Sequence, residues 1–369
     1  MTKLRVAVVG AGHLGKIHAR ILQTQTEAQL VAVADPCSVA QQQITQQLGV
    51  RAVNDYRELF GEIDAAIVAT PTRTHFEIAQ ELLSHRVHTL IEKPMTDSVS
   101  DAEELVHLAN RHQCVVAVGH VERYNPAIKS ALELVGTPKF IQASRMSGFT
   151  FRSTDIGVVH DLMIHDIDLV NSIFPGKLID TRALGMSVFG RNEDMAQARL
   201  QFDCGAVANL SASRCSYQAE RSFQIFGSDG YANVNLTQST VTFVEVPDWV
   251  KDRQYDLLDT TPEQQAVIRE ELFKKILPKS EIEVPKTNAI LSEQKNWLTA
   301  IRDGEPCRVT AQQGKEAVEI AQSVIDSLAA HRWTKHDPQS TGPFGKIDST
   351  PKKILPFGSG DDSEQRKAA

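Results

Sequence analysis

The stretch Arg5-Val6-Ala7-Val8-Val9-Gly10-Ala11-Gly12-His13-Leu14-Gly15-Lys16-Ile17-His18 decides the fold. Val6 to Val9 is a short apolar run of the kind that forms a strand buried on both faces of a parallel sheet. Gly10, Gly12 and Gly15 follow as GxGxxG, and Lys16 to Leu22 continues with helical spacing. In a dinucleotide-binding βαβ unit the first glycine makes the turn, the second admits the pyrophosphate, and the third lets helix pack on strand. His13 and Leu14 then open a helix whose free N–H groups face the phosphates.

A second apolar run, Leu30 to Ala34, ends in Asp35, 20 residues beyond Gly15. An acidic side chain at that distance accepts the ribose hydroxyls and repels a 2′-phosphate. Pro36, Cys37 and Ser38 bring no arginine to hold such a phosphate, so the expected cofactor is NAD and not NADP.

Outward from this unit, apolar runs at Ala65 to Ala69, Thr89 to Ile91 and Cys114 to Val118 alternate with helix-like segments. This alternation predicts an α/β fold: a Rossmann-type parallel sheet over residues 1–122, covered by helices, with ligands at the carboxyl ends of its strands. There the chain places Thr70-Pro71-Thr72-Arg73-Thr74-His75, Glu92-Lys93-Pro94 and Gly119-His120-Val121-Glu122-Arg123-Tyr124-Asn125-Pro126. From residue 123 to about 334 the pattern changes to strand-like segments at 178–189, 195–203, 206–215, 220–227, 231–236 and 240–246. These predict a second α+β domain with a large, mainly antiparallel open sheet. Thr261-Pro262-Glu263-Gln264 reads as a capped helix start followed by an Ile268, Leu272, Ile276 stripe, and Ser292 as the cap of a helix ending at Gly304. Residues 335–369, rich in Pro, Gly, Ser and charge, read as a flexible tail.

With 369 residues, 41% hydrophobic and 23% charged, the chain is that of a soluble globular protein. Its net charge of −7 opposes nucleic acid and anionic membrane as partners. Cys37, Cys114, Cys204, Cys215 and Cys307 show no CxxC, which fits reduced thiols in a cytoplasm and neither a disulfide framework nor a zinc site. No signal peptide or membrane-length apolar run is expected.

A second constellation stands at Asp161-Leu162-Met163-Ile164-His165-Asp166-Ile167-Asp168. On a regular helix Asp161, His165 and Asp168 project from one face, so two carboxylates would flank the imidazole and raise its basicity. A solvated acidic helix face is the plainer reading of this stretch alone. A metal triad of His160, Asp161 and His165 has neither HxxxH nor HExxH spacing, so no metal is expected.

Taken in order, GxGxxG, Ala69-Thr70-Pro71 with His75, Glu92-Lys93-Pro94 and DxxxHxxD resemble the Gfo/Idh/MocA oxidoreductases, from about Lys3 to Ala330. The resemblance implies Lys93 as the catalytic lysine, His165 as its proton-transfer partner and Asp161 in substrate contact. It implies that Thr70, Pro71, His75, Glu92 and Lys93 line the cofactor pocket, and that the C-terminal sheet mediates a homodimer or homotetramer. Met163 departs from the glycine commoner at that position. Within the family, the stretches 119–126 and 161–166 are most similar to the bacterial UDP-N-acetylglucosamine 3-dehydrogenases. The expected reaction is therefore oxidation of a sugar secondary alcohol, at C3 of the UDP-sugar, for later transamination. Arg123, Tyr124, Asn125 and Arg152 are expected at the substrate, and Arg123, Arg145, Arg152 and Arg214 are candidate diphosphate anchors. A dehydrogenase of a free sugar or inositol and a non-catalytic nucleotide-sensing protein are the alternatives.

Overall fold

The computed structural model describes residues 3–150, 155–189, 192–253, 256–285 and 287–331. Arg152 and the expected tail from Lys335 lie outside the described residues.

Six strands, β1 (Leu4–Val9), β2 (Ala28–Ala34), β3 (Arg51–Val53), β4 (Ala65–Val68), β5 (His88–Ile91) and β6 (Val116–Val118), pair in the order β3-β2-β1-β4-β5-β6. All pairings are parallel. This is the doubly wound order, whose direction of winding reverses between β1 and β4 and leaves a crevice at their carboxyl ends. Strand alternation sends Val6, Val8, Ala65, Ile67 and Leu90 to one face, where Ala19 and Leu22 of α1 (His13–Gln23) and Ile44 of α2 (Ser38–Leu48) cover them. Ala7, Val9, Ala66, Val68 and Ile91 face α3 (His75–Ser84) and α4 (Val99–His112) on the other side. β3, only three residues at the sheet edge, carries no apolar run and is absent from the sequence expectation.

After α5 (Pro126–Leu134) come β7 (Pro138–Met146), α6 (Ile164–Ile173), β8 (Leu178–Met186), β9 (Met195–Phe202), β10 (Val207–Ser213), β11 (Glu220–Gly227), β12 (Gly230–Asn235) and β13 (Thr240–Glu245). With β14 (Lys279–Glu283) they form an eight-stranded sheet in the order β14-β13-β12-β11-β7-β10-β9-β8. Only the β7–β10 pairing is parallel, so the sheet is mainly antiparallel as expected. One face is packed by Ile141, Ala143, Leu210, Phe223 and Ile225; the other carries Phe140, Gln142, Gln224, Phe226, Tyr231 and Asn233.

Between β13 and the end lie α7 (Asp248–Lys251), α8 (Pro262–Glu271), α9 (Ala289–Asp303) and α10 (Ala311–Ala330). Thr261 and Gln264 close a capping box with Pro262 at the first helical position. The expected stripe fails, because α8 stops at Glu271, a wider π turn takes Leu272–Ile276, and no residue of either is buried. α9 starts before Ser292: Asn288 accepts from the Leu291 N–H and is the cap, and the helix ends at Gly304 in the left-handed region. Trp297 and Leu298 of α9 join the α1 side of the parallel sheet, while α10 packs on α4, α6 and β8 and so ties the two sheets together. Among the described residues no helix is long and apolar enough to cross a membrane.

Candidate active site

The glycine loop is held open by its own sterics. Gly10 has φ +103°, and a Cβ there would overlap the Ala69 carbonyl; one on Gly15 would overlap the Gly10 carbonyl. A Cβ on Gly12 would meet nothing within 4 Å. Gly12 caps α1 without a side-chain partner, so His13, Leu14 and Gly15 begin a helix whose first N–H groups face the opening. Beside it, a cleft of about 670 Å³ is lined by Gly10, Gly12, Asp35, Thr70, Pro71 and Arg73 among others. The Asp35 carboxylate accepts the Ala11 N–H at 2.7 Å and the Cys37 N–H at 2.8 Å, which aims it across the loop. Arg57 and Arg73 also border this cleft, from segments the reading at Pro36 to Ser38 did not reach. Arg57 is committed to Asp55 and Glu81. These residues fit a dinucleotide: open space at Gly12, unspent helix N–H groups and a carboxylate at ribose distance.

His75 and Glu92 lie behind this lining. His75 is buried, with Nδ1 2.9 Å from the Pro94 carbonyl and Nε2 2.9 Å from the Thr70 carbonyl, so it braces two loops of the cleft against each other. Burial lowers its pKa against the pull of both carbonyls. Glu92 is buried against His18 Nε2 at 2.8 Å. Burial would raise its pKa, but the bond from His18 and the charge of Lys93 outweigh this and hold it below the usual value. Gln294 donates to His18 Nδ1 and accepts from Gln25, so a buried chain of polar groups links β5, α1 and α9. His18 stands in the apolar stripe Gly15, Ala19, Leu22, and a histidine in a core stripe was the signal that could have found it.

Lys93 leaves the carboxyl end of β5 across a cis bond to Pro94 and reaches the second constellation. Its Nζ donates to the Asp161 carbonyl at 2.6 Å and lies 3.4 Å from Asp161 Oδ1, with both side chains mostly buried at 14% and 18% exposure. An ammonium has three donors, which leaves one for a further oxygen.

The regular-helix expectation for DxxxHxxD does not hold. Val159–Met163 forms a π turn before α6, so Asp161 leaves the face that His165 and Asp168 share within α6, and the two carboxylates do not stand on either side of the imidazole. Asp161 turns to Lys93, and Asp168 is buried near Arg123 and His120. The His165 Nδ1 is instead buried without a hydrogen-bond partner. Burial first, then Lys93, Arg145, His120 and Arg221, push its pKa well below the usual value, so the ring is neutral near pH 7. His160 is lowered by burial to about 4. Among the described residues no three His, Cys, Asp or Glu side chains are grouped to hold a metal.

Three candidate anchors are spent on structure. Arg145 is buried between Asp166 at 2.8 Å and Glu122 at 3.1 Å. Arg214 bonds Asp194 and the Ile156 carbonyl. Arg123 bonds the Arg308 carbonyl and lines a groove with Lys129, Leu169 and Arg308. Tyr124 donates to Asn296, and Asn125 caps α5.

The profile of the Gfo/Idh/MocA oxidoreductase family's NAD-binding Rossmann fold matches residues 4–120, and that of its C-terminal alpha/beta domain matches residues 148–335. The chain belongs to the Gfo/Idh/MocA oxidoreductase family. As a member it is an NAD-dependent oxidoreductase. It is 37% identical over 242 residues to UDP-N-acetylglucosamine 3-dehydrogenase of Acidithiobacillus ferrooxidans, spanning 65% of this chain and 77% of that one. The solved structure of that Acidithiobacillus enzyme superposes with TM-score 0.76 at 30% identity, over 89% of this chain and 98% of the other. The chain is also 27% identical to scyllo-inositol 2-dehydrogenase (NAD(+)) of Bacillus subtilis, over 62% of this chain and 72% of the relative.

Proposed function

We propose that this Gfo/Idh/MocA protein oxidises the C3 hydroxyl of UDP-N-acetylglucosamine to a 3-keto sugar nucleotide. The observation that carries the reading is the 2.6 Å bond from Lys93 Nζ to the Asp161 carbonyl, which joins the loop after β5 to the π turn before α6. Gly10, Gly12, His13, Leu14, Gly15, Asp35, Thr70 and Pro71 hold the dinucleotide, with His75 and Glu92 bracing the loops from behind. A dinucleotide held there would supply the hydride acceptor for the carbinol carbon. Lys93 orients the substrate oxygen with its remaining N–H, and Asp161 fixes the ammonium. His165, kept neutral by its burial, receives the hydroxyl proton. The 37% identity to a UDP-N-acetylglucosamine 3-dehydrogenase favours this substrate over the inositols of the 27% relative.

The open face of the eight-stranded sheet, with Phe140, Phe226 and Tyr231 in contact across three strands, is the surface on which we place a homodimer or homotetramer. The five free thiols suit a reducing cytoplasm. A substrate panel tests the reading: UDP-N-acetylglucosamine should reduce NAD⁺, whereas free N-acetylglucosamine and myo-inositol should not. Preferred turnover of either unactivated compound overturns it.

A further inference from the structure

A diphosphate substrate brings negative charge to a site already rich in carboxylates: Glu92, Asp161, Asp166 and, beyond Arg145, Glu122. Cations must compensate it, yet the arginines nearest in sequence to the motifs are bound to carboxylates or carbonyls. Arg221 is different. It is exposed and, among the described residues, its guanidinium makes no hydrogen bond or ion pair.

Its direction follows from the sheet. In β11, Phe223 and Ile225 are buried on the packed face, so Arg221, two residues earlier, projects from that same face at the strand's end. It is paired in register with Arg145 of β7, and directly opposed side chains in an antiparallel pair lie side by side. Arg145 reaches Asp166, the residue next to His165. Arg221 therefore stands beside the Arg145–Asp166 pair at the margin of the site. Its positive charge is among those felt by both His165 and Asp166.

We propose that Arg221 is a specificity-determining residue that binds the diphosphate of the nucleotide-sugar substrate through its guanidinium fork. The proposal rests on the UDP-sugar reading above. A planar guanidinium offers two parallel N–H bonds to phosphate oxygens, which a lysine does not reproduce. Placed outside the Lys93–Asp161 pair, it would hold the nucleotide end while the sugar carbon enters. It would thereby separate UDP-sugars from the free sugars and cyclitols that related enzymes take. A free arginine at a core-facing strand position, alternating with Phe223 and Ile225, is a signal the sequence carried and the motif reading passed over.

The test measures UDP binding to the NADH-loaded protein by calorimetry, beside steady-state kinetics, for the wild type, Arg221→Gln and Arg221→Lys. The wild type should bind UDP, and R221Q should bind it about ten- to a hundredfold more weakly, the range expected for hydrogen bonds to a charged group. R221K should fall between them. The KM for UDP-N-acetylglucosamine should rise by the same factor in R221Q, with kcat, NADH affinity and melting temperature unchanged. Wild-type UDP affinity in R221Q, or an equal loss of NADH binding, overturns the role of Arg221. If the wild type oxidises UDP-N-acetylglucosamine while R221Q does so with the same KM, the anchor falls and the reaction stands. If the wild type binds no UDP and oxidises no UDP-sugar, both fall.

Discussion

Gly12→Ala and Gly15→Ala lie three residues apart, yet the structure gives them opposite consequences. At Gly12 the backbone is extended with φ −70°, a conformation any L-residue adopts, and the new methyl meets no atom within 4 Å. The loss of a permissive N-cap residue costs up to about 1 kcal/mol, partly offset by the stiffer unfolded chain. The melting temperature of the apoprotein should therefore move by no more than about 4 °C. At Gly15 the methyl overlaps the Gly10 carbonyl, which is backbone and not the end of a flexible side chain, so no rotamer change relieves the overlap. α1 must lift from β1 at an overpacking cost of about 1–3 kcal/mol, lowering the melting temperature by roughly 3–10 °C. Cofactor affinity separates the two further. The space beside Gly12 is where a pyrophosphate would meet the first N–H groups of α1, and losing two such charge-assisted bonds costs about 3–6 kcal/mol. That corresponds to at least about a hundredfold in the Kd for NADH. Differential scanning fluorimetry of the apoproteins and NADH titration by fluorescence decide the matter. A Gly12→Ala protein that binds NADH like the wild type, or melts as low as Gly15→Ala, refutes the assignment of that space to the cofactor.

Removing the buried Arg145 cation, as in Arg145→Met, leaves Asp166 and Glu122 facing each other without a counter-charge; urea denaturation at pH 7 should show a loss of about 3–5 kcal/mol, shrinking at acid pH as Asp166, whose carboxyl burial pushes up, takes its proton. A loss below about 1 kcal/mol would contradict the burial of this pair. The lowered pKa of His165 sets a pH dependence. The ring is deprotonated, and able to accept a proton, at every pH above its depressed value, so kcat/KM should hold from neutral pH down through 6.5 and fall only below it. An inflection at or above 6.5 in the wild type contradicts His165 as the proton acceptor.

The glycine loop and the apolar runs after it were legible because each rests on local sterics or on burial of both strand faces: a Cβ on Gly10 or Gly15 would overlap a backbone carbonyl, and β1, β2, β4, β5 and β6 bury apolar side chains almost throughout. β14 was illegible for the converse reason, since Lys279-Ser280-Glu281-Ile282-Glu283 is a charged edge strand with one half-buried apolar residue. The DxxxHxxD geometry failed because a π turn at Val159–Met163 breaks the 3.6-residue period on which the shared-face argument depended. Of the arginines expected at the substrate, Arg123, Arg145 and Arg214 have partners within the fold that their position beside the motifs did not reveal. Which guanidinium is free depends on the carboxylates that folding brings to it, as Asp166 comes to Arg145 and Asp194 to Arg214, and such pairings lie 21 and 20 residues apart in the chain.

The central proposal is that the glycine cradle and the Lys93–Asp161–His165 group form one site in which cofactor binding and alcohol oxidation are carried by separate residues. Lys93→Ala tests it most directly, with NADH affinity and UDP-N-acetylglucosamine-dependent reduction of NAD⁺ measured on the same preparation. Turnover should disappear while the Kd for NADH stays within about threefold of the wild type, because the cradle at Gly10 to Gly15 and Asp35 makes no hydrogen bond to the lysine. A Lys93→Ala protein that still oxidises the UDP-sugar at a rate near the wild type contradicts the proposal.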